Sequence, residues 1–169
     1  MLVPATTKNV YAADELPLKV NLPAALIVNT DCSYNEGRHW LAVHINSHEQ
    51  AEYFDSFGIP PSNPNFILFM QRNSKMWSYN NVTLQSNFSN VCGKYCLMYL
   101  YFKTQNYSLL DFVNNFSADR ISNDKIVETM YQNVFGDNSK NNEHLGKGLV
   151  CPSLLSTLQT SFSNNLASF

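Results

Sequence analysis

The sequence predicts a single α+β domain, and three observations predict it. Short apolar, β-branched and aromatic runs occupy the front half, and helical periodicity occupies the rear half. One rear segment, 92–103, is apolar on almost every side. A chain of 169 residues fits one compact domain over 1–169 and is long enough to bury a real core.

The elements follow in order. Ala25-Leu26-Ile27-Val28 is a continuous apolar run of buried-strand length. Trp40-Leu41-Ala42-Val43-His44-Ile45 is rich in strand formers and reads as a second strand. Residues 46–50 supply a polar turn, and Ala51-Glu52-Tyr53-Phe54 reads as a third strand paired back on the second. Gly58-Ile59-Pro60-Pro61 ends it, because proline can neither donate to a ladder nor continue it. Pro64 suits the first turn of a helix carrying Phe66, Phe69 and Met70, capped by Ser62 or Asn63. Residues 75–84 read as extended. The segment 92–103 has no polar face, so a helix there must be covered on most sides. A short amphipathic helix is expected over 108–116. Another, capped by Ser122 or Asn123, carries Ile126, Val127, Met130, Tyr131 and Val134 at helical spacing and stops at Gly136. Residues 137–152 read as a mobile loop, and a marginal helix is expected from Pro152.

Composition narrows the function classes. Only 14% of residues are charged and the net charge is −2, so no broad basic field draws the chain onto DNA or an anionic membrane. No apolar run approaches the length of a membrane span. Residues 1–8 lack the basic-then-apolar layout of a signal peptide. Four Asn-x-Ser/Thr triplets, at Asn81, Asn87, Asn106 and Asn115, are expected by chance in so Asn-rich a chain. The four cysteines, Cys32, Cys92, Cys96 and Cys151, do not by themselves settle the compartment. The expectation is an intracellular, reducing setting rather than secretion.

Among residues able to carry chemistry, Cys92 stands apart. It opens the apolar helix directly after a polar loop, 85–91, where the positive end of the helix dipole favours a thiolate. Gly93 beside it lets a backbone or a substrate come close. The plain alternative is a small buried thiol, the commoner fate of a free cysteine. A nucleophilic thiol needs an imidazole to take its proton and a third group to orient that ring. His39 sits where the polar turn 35–38 meets the second strand, an exposed but rigid position. His44 lies inside the strand and His48 in a turn, so both are weaker candidates. Asp55 ends the strand that pairs with the one His39 begins. A hairpin turning at 46–50 puts residues 40 and 55 near each other, within reach of the His39 ring. For a developing oxyanion, the Cys92 N–H is one donor and the amide of Gln85, seven residues upstream, is a candidate second.

These residues resemble a known family. Ile27-Val28-Asn29-Thr30, Gly37-Arg38-His39-Trp40-Leu41-Ala42, Tyr53-Phe54-Asp55-Ser56-Phe57-Gly58, Gln85 and Cys92-Gly93-Lys94-Tyr95-Cys96 look like the adenovirus endopeptidase and the proteases of Maverick- or adintovirus-type elements. More distantly they are similar to SUMO- and ubiquitin-like-specific proteases. The resemblance covers 10–105 and keeps the family's motif order. It implies a mixed sheet flanked by helices, with the catalytic cysteine at the start of a buried central helix. It also implies peptide-bond hydrolysis through a thioester, with Cys92 as nucleophile, His39 as base, Asp55 as orienter and Gln85 as oxyanion donor. Trp40 is expected to shape the site. The implied substrate is a capsid or core precursor protein, cleaved in the host nucleus or virion without metal or other cofactor. Adenoviral members respond to an activating peptide and to DNA. This chain repeats no recognisable peptide-docking feature, and its near-neutral charge argues against strong DNA activation.

Three other readings compete. An isopeptidase would act on SUMO- or ubiquitin-like modifiers at the same site, and a catalytically dead module would keep the fold to hold a peptide. Zinc held by Cys92 and Cys96 with His39 or His44 is disfavoured, because structural zinc cysteines sit on turns rather than along an apolar helix.

Overall fold

The computed structural model describes residues 10–136. The expectations for 137–152, for the helix from Pro152 and for Cys151 fall outside the described residues. Strands β1 (Val10–Tyr11), β2 (Ala24–Asn29), β3 (Trp40–Ile45), β4 (Gln50–Phe54) and β5 (Met76–Tyr79) form one sheet in sequential order. Outer pairs β1–β2 and β4–β5 are parallel, while β2–β3 and β3–β4 are antiparallel, so the sheet is mixed. Helices α1 (Pro64–Asn73), α2 (Cys92–Thr104), α3 (Leu109–Val113) and α4 (Arg120–Phe135) complete the α+β architecture.

Side-chain alternation along the inner strands builds two cores. Leu26, Val28, Leu41, Val43, Ile45 and Tyr53 pack with Phe66, Phe69 and Met70 of α1 on one face. Ile27, Ala42 and Phe54 pack with α2, Phe112 and Val127 on the other. The even apolarity of α2 has the expected cause: Tyr95, Cys96, Leu97, Met98, Tyr99 and Leu100 are all buried. Phe54 stacks on Tyr99 at 4.8 Å and meets Phe112 edge-on at 5.4 Å. Such ring pairs add about 0.5–1.5 kcal/mol each beyond area burial. The Tyr99 hydroxyl escapes an unpaired burial by donating to Glu52 Oε2 at 2.7 Å.

Local differences from the expected elements have physical reasons. Of the two caps offered for α1, Asn63 is the one used, its side chain accepting from the Asn65 N–H at 2.9 Å. The extended reading over 75–84 holds only for Met76–Tyr79, because Asn80 turns its side chain inward instead of continuing the ladder. The helix over 108–116 is shorter, Leu109–Val113, closed by a Ser108–Asp111 capping box. Neither Ser122 nor Asn123 caps α4. Asp119 does, accepting from the Ile121 and Ser122 N–H groups, and the first helical turn is too polar to reveal itself by periodicity. Gly136 ends α4 as expected. Strand β1, two residues long, carries no periodic signal.

Candidate active site

Four segments converge on one end of the sheet. The first is the turn before β3. Gly37 adopts φ +85°, and a Cβ there would fall 1.9 Å from Asn29 Nδ2, so the turn closes tightly on β2. Thr30 N–H donates to the His39 carbonyl at 2.9 Å, which fixes the His39 backbone beside Trp40.

The second segment follows β4. Its ladder pairs Ala42 with Phe54 and Val43 with Tyr53, one residue off the register expected from the turn. That register carries Leu41, not Trp40, towards Asp55, and the His39 side chain reaches Asp55 diagonally. His39 Nε2 donates to Asp55 Oδ1 at 2.8 Å. Asp55 is 3% exposed, and the same Oδ1 accepts the Phe57 N–H at 2.8 Å. The Phe57 ring lies 4.9 Å from the imidazole, walling one side of it.

The third segment, 80–86, is braced from two directions. Leu84 and Gln85 N–H both donate to the Ser56 carbonyl, at 2.8 and 3.0 Å. From the N-terminal turn of α4, Asn123 Nδ2 donates to the Leu84 carbonyl at 3.1 Å. Gln85 is 1% exposed. Its Oε1 accepts from Ser56 Oγ at 2.7 Å, and its Nε2 donates to the Ser89 carbonyl at 2.8 Å with Ser89 Oγ at 3.3 Å.

The fourth is α2, whose first residue is Cys92, 7% exposed, followed by buried Gly93. Helices α1, α3 and α4 each have a side chain accepting from the first turn, whereas Val91 offers α2 none. The N–H groups of the turn that bears Cys92 therefore have no side-chain cap, and such groups suit a developing anion.

Burial opposes charge on the His39 ring, but its hydrogen bonds to Asp55 and to Cys92, with the charge of both, outweigh that cost and push its pKa up to about 9. Nε2 faces Asp55, so Nδ1 is the nitrogen left for the thiol. At neutral pH the ring is charged and held between a carboxylate and a sulfur, an arrangement able to manage a proton during attack on a carbonyl.

The competing histidines are elsewhere. His44 faces Glu52 across the β3–β4 ladder, and burial together with nearby Lys103 lowers its pKa. His48 is exposed in the turn. Cys96 is fully buried and its Sγ donates to the Trp40 carbonyl at 3.3 Å, a packing position. Trp40 itself is half-buried and lines a cleft of about 300 Å³ with Val10, Tyr11, Glu15, Asn29 and Cys32. A larger cleft, about 720 Å³, opens among His44, Glu52, Trp77 and Lys103 and includes none of the four converging side chains. Volume therefore does not identify this site, but the chemistry of the groups does.

The sequence reading passed over the parts played by Ser56, Phe57, Asn80 and Ser89. Ser56 and Phe57 lie in the same motif as Asp55, Tyr53-Phe54-Asp55-Ser56-Phe57-Gly58. The side chain of Asn80 accepts the Asp55 N–H at 2.9 Å and donates to the Asp55 carbonyl at 2.6 Å, a long-range contact that no local pattern announces.

No family model matches the chain. Over 106 residues it is 28% identical to proteins of African swine fever virus named "SUMO-1 cysteine protease", from a Pig/Kenya isolate, and "Cysteine protease", from a Tick/Malawi isolate. The match covers 55% of this chain and 38% of each relative, so the chain spans about two fifths of the length of the curated relatives it matches. A crystal structure of the African swine fever virus protease aligns with a TM-score of 0.47 at 24% identity, covering 62% of this chain and 42% of that one. By sequence, this chain is similar, at modest identity, to a viral cysteine protease.

Proposed function

We propose that the chain is a cysteine endopeptidase that cleaves precursor proteins of a virus or virus-like element. One observation carries the reading: His39 sits half-buried between the Asp55 carboxylate and the Cys92 thiol, and Cys92 opens a helix that no side chain caps. Cys92 Sγ attacks the scissile carbonyl carbon, and the carbonyl oxygen takes the negative charge, stabilised by the Cys92 N–H and by Gln85. His39 holds the thiol proton on Nδ1 and delivers it to the departing amine as the thioester forms. Water then attacks the thioester, giving up a proton to His39 as the C–S bond breaks; the acid leaves and the Cys92 thiolate faces the protonated ring again, as at the start. Asp55 keeps Nε2–H engaged throughout, fixing the ring.

Turnover of a peptidyl Gly-Gly-coumarin amide that is abolished by Cys92→Ala supports the reading. Hydrolysis that persists in Cys92→Ala overturns it.

A second reading, an isopeptidase for SUMO- or ubiquitin-like modifiers, is favoured by the name of one African swine fever virus relative, "SUMO-1 cysteine protease". Side-by-side incubation with a capsid precursor and with modifier-aldehyde traps separates the two. Precursor cleavage with poor trap capture supports the endopeptidase, and efficient trap capture supports the isopeptidase. The host nucleus or virion as its place of action, and a precursor as its substrate, are part of the proposal.

A further inference from the structure

Residue 56 directly follows the acid that orients His39, yet its side chain faces the other half of the site. Ser56 is fully buried, with 0% exposure, and its Oγ lies 2.7 Å from Gln85 Oε1. An amide can turn end for end at little steric cost, so something must decide which end is nitrogen. The Ser89 carbonyl only accepts, and it lies 2.8 Å from Nε2, so the nitrogen faces Ser89. The oxygen must then face Ser56, whose hydroxyl is left with one role, that of donor. The backbone of the same residue holds the same loop, its carbonyl accepting from both Leu84 and Gln85 N–H.

We propose that Ser56 is a positioning residue for oxyanion stabilisation: its hydroxyl locks and polarises the Gln85 carboxamide so that Nε2 remains a strong, correctly oriented donor. A hydrogen bond donated to an amide oxygen draws electron density from the amide nitrogen and makes its N–H groups better donors, by about 10–30% per bond. Nε2 has two N–H groups. Among the described residues Nε2 meets the Ser89 carbonyl at 2.8 Å and Ser89 Oγ at 3.3 Å, the second contact weak enough for a developing oxyanion to displace. The dipeptide Asp55-Ser56 thus serves both halves of the site, the acid through its carboxylate on His39 and the serine through its hydroxyl on Gln85. The inference rests on the protease reading above and deepens it.

The test is a double-mutant cycle of Ser56→Ala and Gln85→Ala on the peptidyl Gly-Gly-coumarin amide, with the alkylation rate of Cys92 by iodoacetamide measured in every variant. Alkylation reads the Cys92–His39 pair without calling on an oxyanion donor. Ser56→Ala is expected to lower kcat about tenfold, less than the roughly 10²–10³ lost when an oxyanion donor is removed outright. KM should stay within about twofold, Cys92 alkylation should be unchanged, and the same substitution should cost nothing further in the Gln85→Ala background. If Ser56→Ala does not fold, Ser56→Cys, nearly the same size and a weak donor, takes its place in the cycle. An equal fractional loss in both backgrounds, or a fall in alkylation rate in step with kcat, overturns the positioning role alone. Hydrolysis that survives Cys92→Ala overturns both this role and the protease reading.

Discussion

Asn80 holds the main chain of Asp55 at both of its polar groups, accepting the N–H at 2.9 Å and donating to the carbonyl at 2.6 Å. The side chain imitates a strand rung one residue past the end of β5, where the backbone itself has left the ladder. Through it the carboxylate that orients His39 is tied to a residue 25 positions away.

Replacing Asn80 by Ala strands a buried N–H and a buried carbonyl. We expect a loss of about 2–3 kcal/mol in unfolding free energy, read from urea titrations. kcat should fall as well, since Asp55 loses its anchor. Stability within about 0.5 kcal/mol of the unmodified protein, the range of ordinary surface changes, would show the clamp to be idle.

Asp55→Asn keeps the size of the side chain and removes its charge. The loss in kcat should be large, with roughly 10⁴ as the upper guide from a serine-protease triad, yet smaller than that of His39→Ala. A rate equal to the unmodified enzyme would reduce Asp55 to a turn residue.

The raised pKa of His39, about 9, sets the direction of two pH effects. Its folded value lies above the ordinary 6.5, so its contribution to stability is complete below pH 6.5 and disappears as pH rises through 9. Urea titrations from pH 6 to 10 should show that decline, and it should be absent in His39→Gln. If turnover needs the charged ring, kcat/KM falls on the same alkaline limb. Asp55→Asn removes one of the groups that raise the pKa, so the limb should move to lower pH. A limb that stays in place would mean another group is titrating.

Gln85→Ala should cost about 2.7–4 kcal/mol of transition-state stabilisation, seen in kcat with little change in KM, as for loss of one oxyanion donor. A change confined to KM would count against the assignment.

Gly58 has φ +68°, and a Cβ there would stand 2.6 Å from the Val82 carbonyl carbon and 2.9 Å from the Thr83 nitrogen. Gly58→Ala should therefore force apart the two segments that carry Asp55 and Gln85. We expect destabilisation of more than about 1 kcal/mol and a fall in kcat. Unchanged melting and turnover would show that this close approach is dispensable.

Much of this molecule was legible because its signals are local. The runs at Ala24–Asn29 and Trp40–Ile45 have only one way to hide their apolar side chains, and the polar turn between β3 and β4 dictates an antiparallel return. The segment at Cys92–Thr104, with no polar face, has to be a covered helix. The pairing of His39 with Asp55 followed from that hairpin, although the register differs by one residue. What stayed hidden depends on distance in sequence. Asp119 caps α4 among residues too polar to show a period, and Asn80 reads as the continuation of a strand until Asp55 is placed beside it. The Ser56–Gln85 bond spans 29 positions, and nothing near either residue hints at it.

The central claim is a working thiol–imidazole pair, and brief iodoacetamide treatment at pH 7 followed by peptide mapping tests it most directly. The account predicts that Cys92 is carboxamidomethylated well before Cys32, Cys96 and Cys151, and that this preference collapses in His39→Ala. Slow, even labelling of all four thiols, or a Cys92 rate indifferent to His39, would contradict it.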